Sequence, residues 1–334
     1  MKPSELKQLI RARRAAGIRR ALLIESSPGT GKTSIPQQVA EEDKIGFICN
    51  HGPLMQPEDY GMPVVRPNKD GIDFIVPVGK FPFVGSDFPK EGILVCDELP
   101  QCDNSGQKIW ANILQARELH GRKIMDGWSI IATGNRVGDR SGASRILSHL
   151  GDRVTRVELD VSTDDWFTWA IAHGVPTEII AFLQFRPALL NNFDAQQDKY
   201  PTPRGWVEGV AAQLGKIPRN LELPVFKGDV GEGAAAEFLA FLKIYRNLPD
   251  IDDIISNPSK TKVPTDPATL YALCGALAPR SDKKTFDSIL AYINRMPPEF
   301  SVLFIKTVVQ RTPEVQNTKA FAEWAEGPGA KLLV

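Results

Sequence analysis

The sequence predicts an α/β domain on a mostly parallel sheet, followed by an all-helical region. Two observations carry this. From about residue 20 to 160, short apolar runs alternate with amphipathic segments. After Asp160, strand-like runs give way to apolar residues at helical spacing. A third observation, a glycine-rich turn after the first apolar run, says which α/β arrangement to expect.

In chain order the expected strands are Ala21–Ile24, Gly46–Cys49, Ile93–Cys96, Ser129–Thr133 and Val154–Leu159. Each is strand-length and bounded by polar or turn residues, as in sheets covered by helices on both faces. The stretch from His51 to Pro89 is irregular, with Asn68–Gly71 read as a hairpin turn between Val64–Val65 and Ile72–Val76. It is a place for partner contacts or a plain surface loop. Helices are expected at Thr163–His173, Thr177–Phe185, Trp206–Leu214 and Gly233–Tyr245, with more amphipathic pattern at Phe286–Ile293 and Val302–Val309. Their aromatic stripes, Trp166–Trp169 and Phe238–Phe241 among them, read as packing faces.

The chain has 334 residues, 42% of them hydrophobic and 24% charged, with a formal net charge of zero. That is an ordinary globular composition, and it argues against a dedicated nucleic-acid coat. No apolar run approaches the ~18 residues needed to span a bilayer. The N-terminal segment lacks a signal-peptide core, so a cytoplasmic protein is expected. Cys49, Cys96, Cys102 and Cys274 show no metal-ligand spacing and read as reduced thiols. His51, His149 and His173 have no partners at ligand spacing, and His120 reads as an exposed turn histidine, so no metal beyond Mg²⁺ is expected.

The strongest signal is ALLIESSPGTGKTS, residues 21–34. A strand runs into a loop and then a helix beginning near Thr33. Ser27, Pro28, Gly29, Thr30 and Gly31 would curl the backbone so that successive N–H groups form an anion nest. Lys32 would reach the β- and γ-phosphates of ATP, Thr33 would bind Mg²⁺, and Ser34 is expected among the nucleotide-binding residues. Ser26 stands where this motif usually has its first glycine; Ser is tolerated there if its φ stays negative.

Residues 93–98, ILVCDE, are an apolar strand ending in two acids, which a buried strand does not carry without a partner. After a phosphate loop, Asp97 would hold Mg²⁺ and Glu98 would act as general base on the attacking water. The next strand, SIIATGNR, ends in Asn135, which could hold that water against the γ-phosphate.

This order of motifs resembles the AAA+ ATPases, in particular the MoxR-like branch found in bacteria and their phages. PEDYGMP at 57–63, ARELHGRKIMDGWSIIATGNR at 116–136, LGDRVTRVEL at 150–159, DDWFTWA at 164–170 and YPTPRGW at 200–206 share in the resemblance. It covers about residues 20–210. It implies an AAA+ core at 1–160, a helical lid at 161–250 and a C-terminal helical extension at 251–334. It also implies that Arg153 is a finger reaching a neighbouring subunit's ATP, with Arg140, Arg145 and Arg156 as competitors, and that Arg204 senses the γ-phosphate within its own subunit. A hairpin at about Ala116–Asp126, with its tip at His120–Gly121–Arg122, would face the pore of a ring or one face of it. The implied assembly is a homo-oligomeric ring, six-membered by expectation, that remodels or activates a protein partner, often one with a von Willebrand factor A domain. The alternative is a nucleic-acid motor or loader, supported by the basic residues Lys7, Arg11, Arg13, Arg14, Arg19 and Arg20. These equally fit a solvated helix face.

Overall fold

A computed structural model describes all residues except 66–71, 78, 137–147, 195 and 328–334. The chain forms two compact units, Met1–Ser162 and Thr163–Val334.

Unit 1 contains strands β1 (Ala21–Ser26), β2 (Gly46–His51), β3 (Met62–Val65), β4 (Ile72–Ile75), β5 (Gly92–Asp97), β6 (Glu118–Leu119), β7 (Arg122–Lys123), β8 (Trp128–Asn135) and β9 (Val154–Glu158). Its helices are α1 (Pro3–Ala15), α2 (Ser34–Glu42), α3 (Pro57–Tyr60), α4 (Asn104–Ala116) and α5 (Ser148–Gly151). Five strands form one parallel sheet in the order β2-β5-β8-β1-β9. The expected five-stranded parallel core is therefore present, each strand lying within two residues of its predicted bounds.

The strands are apolar on both faces because both faces are covered. Leu23, Leu94, Cys96, Ile130 and Ala132 pack with Trp110, Ile113 and Leu114 of α4. The alternate residues Leu22, Ile24, Ile93, Val95 and Ile131 pack with Leu6 and Ile10 of α1 and with Ile35, Val39 and Ala40 of α2. Period-two alternation thus feeds two cores instead of one core and solvent. Each fully buried Leu or Ile contributes about 1.5–3 kcal/mol.

Two small hairpins stand outside the sheet. β3 pairs with β4 antiparallel, as expected, although the predicted turn lies outside the described residues. β6 pairs with β7 where the second hairpin was expected, turning at His120–Gly121 with φ of 50° and 74°. The His120 ring stacks on Phe74 with centroids 3.8 Å apart, which a bare turn histidine would not do. The basic N-terminal residues are also engaged. Lys7 and Arg11 pair with Glu42, Arg11 with Asp43, Arg14 with Glu91 and Arg19 with Asp126, while Arg13 bonds the carbonyl of Arg20 and Arg20 that of Asp152.

Unit 2 is helical: α6 (Thr163–Ala172), α7 (Thr177–Phe185), α8 (Glu222–Val230), α9 (Glu232–Tyr245), α10 (Ile251–Ser256), α11 (Pro267–Leu277), α12 (Phe286–Ile293), α13 (Pro298–Arg311) and α14 (Lys319–Glu326). Phe182 of α7 lies against Trp206, Phe238 and Phe241 with centroids 5.2–5.6 Å apart. α7 also crosses α11 so closely that a Cβ on Gly275 would come within 2.5 Å of the Ala181 Cβ. The helix expected at Trp206–Leu214 is a π-helix over Gly205–Ala211. Gly205 and Gly209 there face Asp229 at distances that leave no room for a side chain.

Candidate functional site

The register of the sheet assembles the site at the C-terminal ends of its strands. Ser26 at the end of β1 lies opposite Asn135 at the end of β8. His51 at the end of β2 lies opposite Asp97 at the end of β5. The loop 27–33 leaves β1, which lies between β8 and β9, and enters α2, whose N-cap is Thr33. Gly29 and Gly31 take φ of 75° and 97°, which side-chain-bearing residues rarely adopt. Ser26, at the position where glycine is usual, is fully buried, and its hydroxyl bonds that of Thr30. The hydroxyl pair closes the base of the loop.

The residues expected at the site converge there. The Lys32 ammonium donates to Asn135 Oδ1 at 2.8 Å, to the Ser27 carbonyl at 2.9 Å and to the Ser26 carbonyl at 3.2 Å. Thr33 Oγ1 donates to Asp97 Oδ1 at 2.5 Å. Lys32, Asp97 and Asn135 are buried, Thr33 is half-buried, and Ser34 is exposed at the helix start.

Glu98 follows Asp97 in the left-handed region, with φ 58° and ψ 38°. A non-glycine residue there is held at a cost of about 1–3 kcal/mol. The Glu98 N–H is fixed by a bond to Thr133 Oγ1 at 3.1 Å, and the same hydroxyl donates to Asp97 Oδ1. The Glu98 carboxylate accepts no hydrogen bond and makes no ion pair with another described residue. Thr133 is therefore a positioning residue that the sequence reading missed. Its signal was a hydroxyl in the apolar run SIIATGN, two residues before Asn135 and so on the same face of β8.

A second omission concerns β2. Cys49 and His51 share one face of that strand, and their ligand atoms lie with an Asp97 oxygen within 4.8 Å of one another. The expectation that His51 lacks Cys or Asp partners is corrected here. The partner acid comes from a neighbouring strand, which spacing along the sequence does not show.

The arginines fall elsewhere. Arg153 precedes β9, whose first residue, Val154, is in register with Ala21 at the start of β1. Ser26 is five residues further along, about 17 Å at ~3.3 Å per residue. Arg153 thus lies at the opposite end of the strands from the loop of its own chain. Its guanidinium makes no hydrogen bond or ion pair with another described residue. It borders a cleft of about 840 Å³ together with Arg19, Arg20, Arg117 and Asp152. Arg156 pairs with Glu25 at 3.6 Å; Arg140 and Arg145 lie outside the described residues. Arg204, in unit 2, is exposed and 3.9 Å from Glu208.

No protein-family model and no curated protein matches the sequence. Solved structures give a loose likeness. A provisionally named ATPase from Cytophaga hutchinsonii has a TM-score of 0.34 at 14% identity, over 90% of this chain and 79% of that one. A Thermotoga maritima RuvB mutant has a TM-score of 0.40 at 14% identity, over 87% and 85%. NtrX from Brucella abortus has a TM-score of 0.32 at 15% identity, over 91% and 61%. At these scores the likeness carries no functional argument, which rests on the site itself.

Among the described residues no helix is long and apolar enough to cross a membrane.

Proposed function

We propose that the chain binds and hydrolyses ATP with Mg²⁺ as an AAA+ ring subunit of the MoxR type. The observation that carries this is the convergence at one strand edge of Lys32 with Asn135, and of Thr33 with Asp97. A hydroxyl and a carboxylate 2.5 Å apart are the hard oxygen ligands that Mg²⁺ takes beside phosphate oxygens. Thr33 and Asp97 would hold the ion, which would neutralise charge on the phosphates. The N–H groups of residues 27–33 and the Lys32 ammonium would hold the β- and γ-phosphates.

Lys32 is occupied by two carbonyls and the Asn135 amide. An arriving phosphate would draw the ammonium away and leave the amide free to hold water. Glu98, whose carboxylate engages no other described residue, would take that water's proton. Charge developing on the transferred group would be met by Arg153 of the neighbouring subunit, an effect of order 10³–10⁵ in rate. Support for a trans role is the place of Arg153 at the far end of the strands of its own sheet, without a hydrogen bond or ion pair to another described residue, in a cleft it shares with Arg19, Arg20 and Arg117. Arg204 would sense the γ-phosphate from the helical unit.

A site shared between subunits requires a neighbour, and head-to-tail contacts that close make a ring; we place the ring at six subunits, in the cytoplasm. Its work would be on a protein partner, such as one with a von Willebrand factor A domain. The nucleic-acid alternative loses its main support, because the basic N-terminal residues are bonded within unit 1. The direct test is nucleotide binding and phosphate release by wild type and Lys32→Ala, with and without Mg²⁺. The proposal expects Mg²⁺-dependent turnover that the variant lacks; equal binding by both proteins would refute it.

A further inference from the structure

We propose that Cys49, His51 and Asp97 form a binding site for a thiophilic divalent cation, Zn²⁺ by its chemistry, distinct from the Mg²⁺ position. Cys49 and His51 alternate onto one face of β2, and the pairing of His51 with Asp97 brings the acid of β5 to the same place. His51 Nδ1 lies 3.1 Å from Asp97 Oδ2, and the three ligand atoms all lie within 4.8 Å of one another. A thiolate, an imidazole and a carboxylate around tetrahedral zinc, at about 2.0–2.3 Å from the metal, stand roughly 3.3–3.8 Å apart. Closing that difference needs a side-chain adjustment of about 1 Å.

The two oxygens of Asp97 serve different sides. Oδ1 accepts from Thr33 and Thr133, while Oδ2 faces His51. Zinc on Oδ2 would therefore leave the Thr33 side in place and would couple to it through one carboxylate. Three protein ligands leave a fourth position open to water or another oxygen. His51 is more than half exposed, which gives an ion a way in. Binding forms the Zn–S bond as the thiol proton passes to solvent. Mg²⁺, which prefers an octahedron of oxygens, would not take this ligand set.

The site does not depend on ATP hydrolysis, so it is tested on full-length protein without nucleotide, in wild-type and Lys32→Ala backgrounds. Co²⁺ is the spectroscopic probe and Zn²⁺ in competition with a chromophoric chelator gives the affinity. The expected result is one equivalent of Co²⁺ with a thiolate-to-metal charge-transfer band, displaced by Zn²⁺. Cys49→Ser should abolish the band, and His51→Ala should weaken Zn²⁺ binding by about tenfold or more. A band that survives Cys49→Ser, or zinc affinity unchanged in both variants, would overturn the site. Binding in the Lys32→Ala background supports it even where ATP turnover fails.

Discussion

Lys32 and Asn135 come from elements more than a hundred residues apart, yet the ammonium of one is bonded to the amide oxygen of the other at 2.8 Å. The bond exists because β1 and β8 are parallel neighbours, which places the loop after one strand against the tip of the other. Under the proposed function it would tie phosphate recognition to water placement, because a nucleotide that claims Lys32 would also free Asn135.

The first prediction follows from that exchange. Asn135→Ala removes a ground-state competitor for Lys32 along with the water holder. ATP affinity should be unchanged or slightly tighter, while kcat falls by about 10²-fold or more. Equilibrium binding with a fluorescent nucleotide and steady-state phosphate release separate the two effects. A parallel loss of affinity would mean that Asn135 serves binding.

Thr133→Val tests the support beneath the acids. The valine is nearly isosteric but leaves the Glu98 N–H without its partner and Asp97 Oδ1 with one donor fewer. Stability should fall by about 1–3 kcal/mol, the cost of a buried unsatisfied group. Turnover should fall more than nucleotide affinity, because the left-handed turn that presents Glu98 loses its anchor. Denaturant melts and kinetics on the same preparation read both.

In unit 2, Phe238 is fully buried and touches Phe182, Trp206 and Phe226. Phe238→Ala should cost about 3–5 kcal/mol. Hydrogen exchange should show that loss in the amides of α7, α8 and α9, while β1, β5 and β8 keep their protection. Uniform loss across both units would mean that they unfold as one.

The sheet was legible because its buried strands are short apolar runs with polar boundaries, and the loop 27–33 because its glycines and Lys32 sit between a strand and a helix. What stayed hidden depends on neighbours that the chain order separates. His51 gained Asp97 from strand register. Thr133 gained its role from Asp97 at the end of β5 and from the Glu98 N–H that follows it. The π-helical turn after Arg204 arose where Gly205 and Gly209 meet the Asp229 backbone and side chain, a packing event with no counterpart in local periodicity. His120 read as a turn residue and is one, but its stacking on Phe74 required a second hairpin to be placed beside it.

The central claim is that each ATP site is completed by Arg153 of another subunit. The most direct measurement is the ATPase rate of Glu98→Gln, of Arg153→Ala and of their equimolar mixture, over a range of protein concentrations. Each variant alone should be nearly inactive. The mixture should recover a fraction of wild-type turnover, because some interfaces pair an intact Glu98 with an intact Arg153, and the rate per subunit should rise with concentration. Full activity of Arg153→Ala, or a rate per subunit independent of concentration with no recovery on mixing, would contradict the shared site.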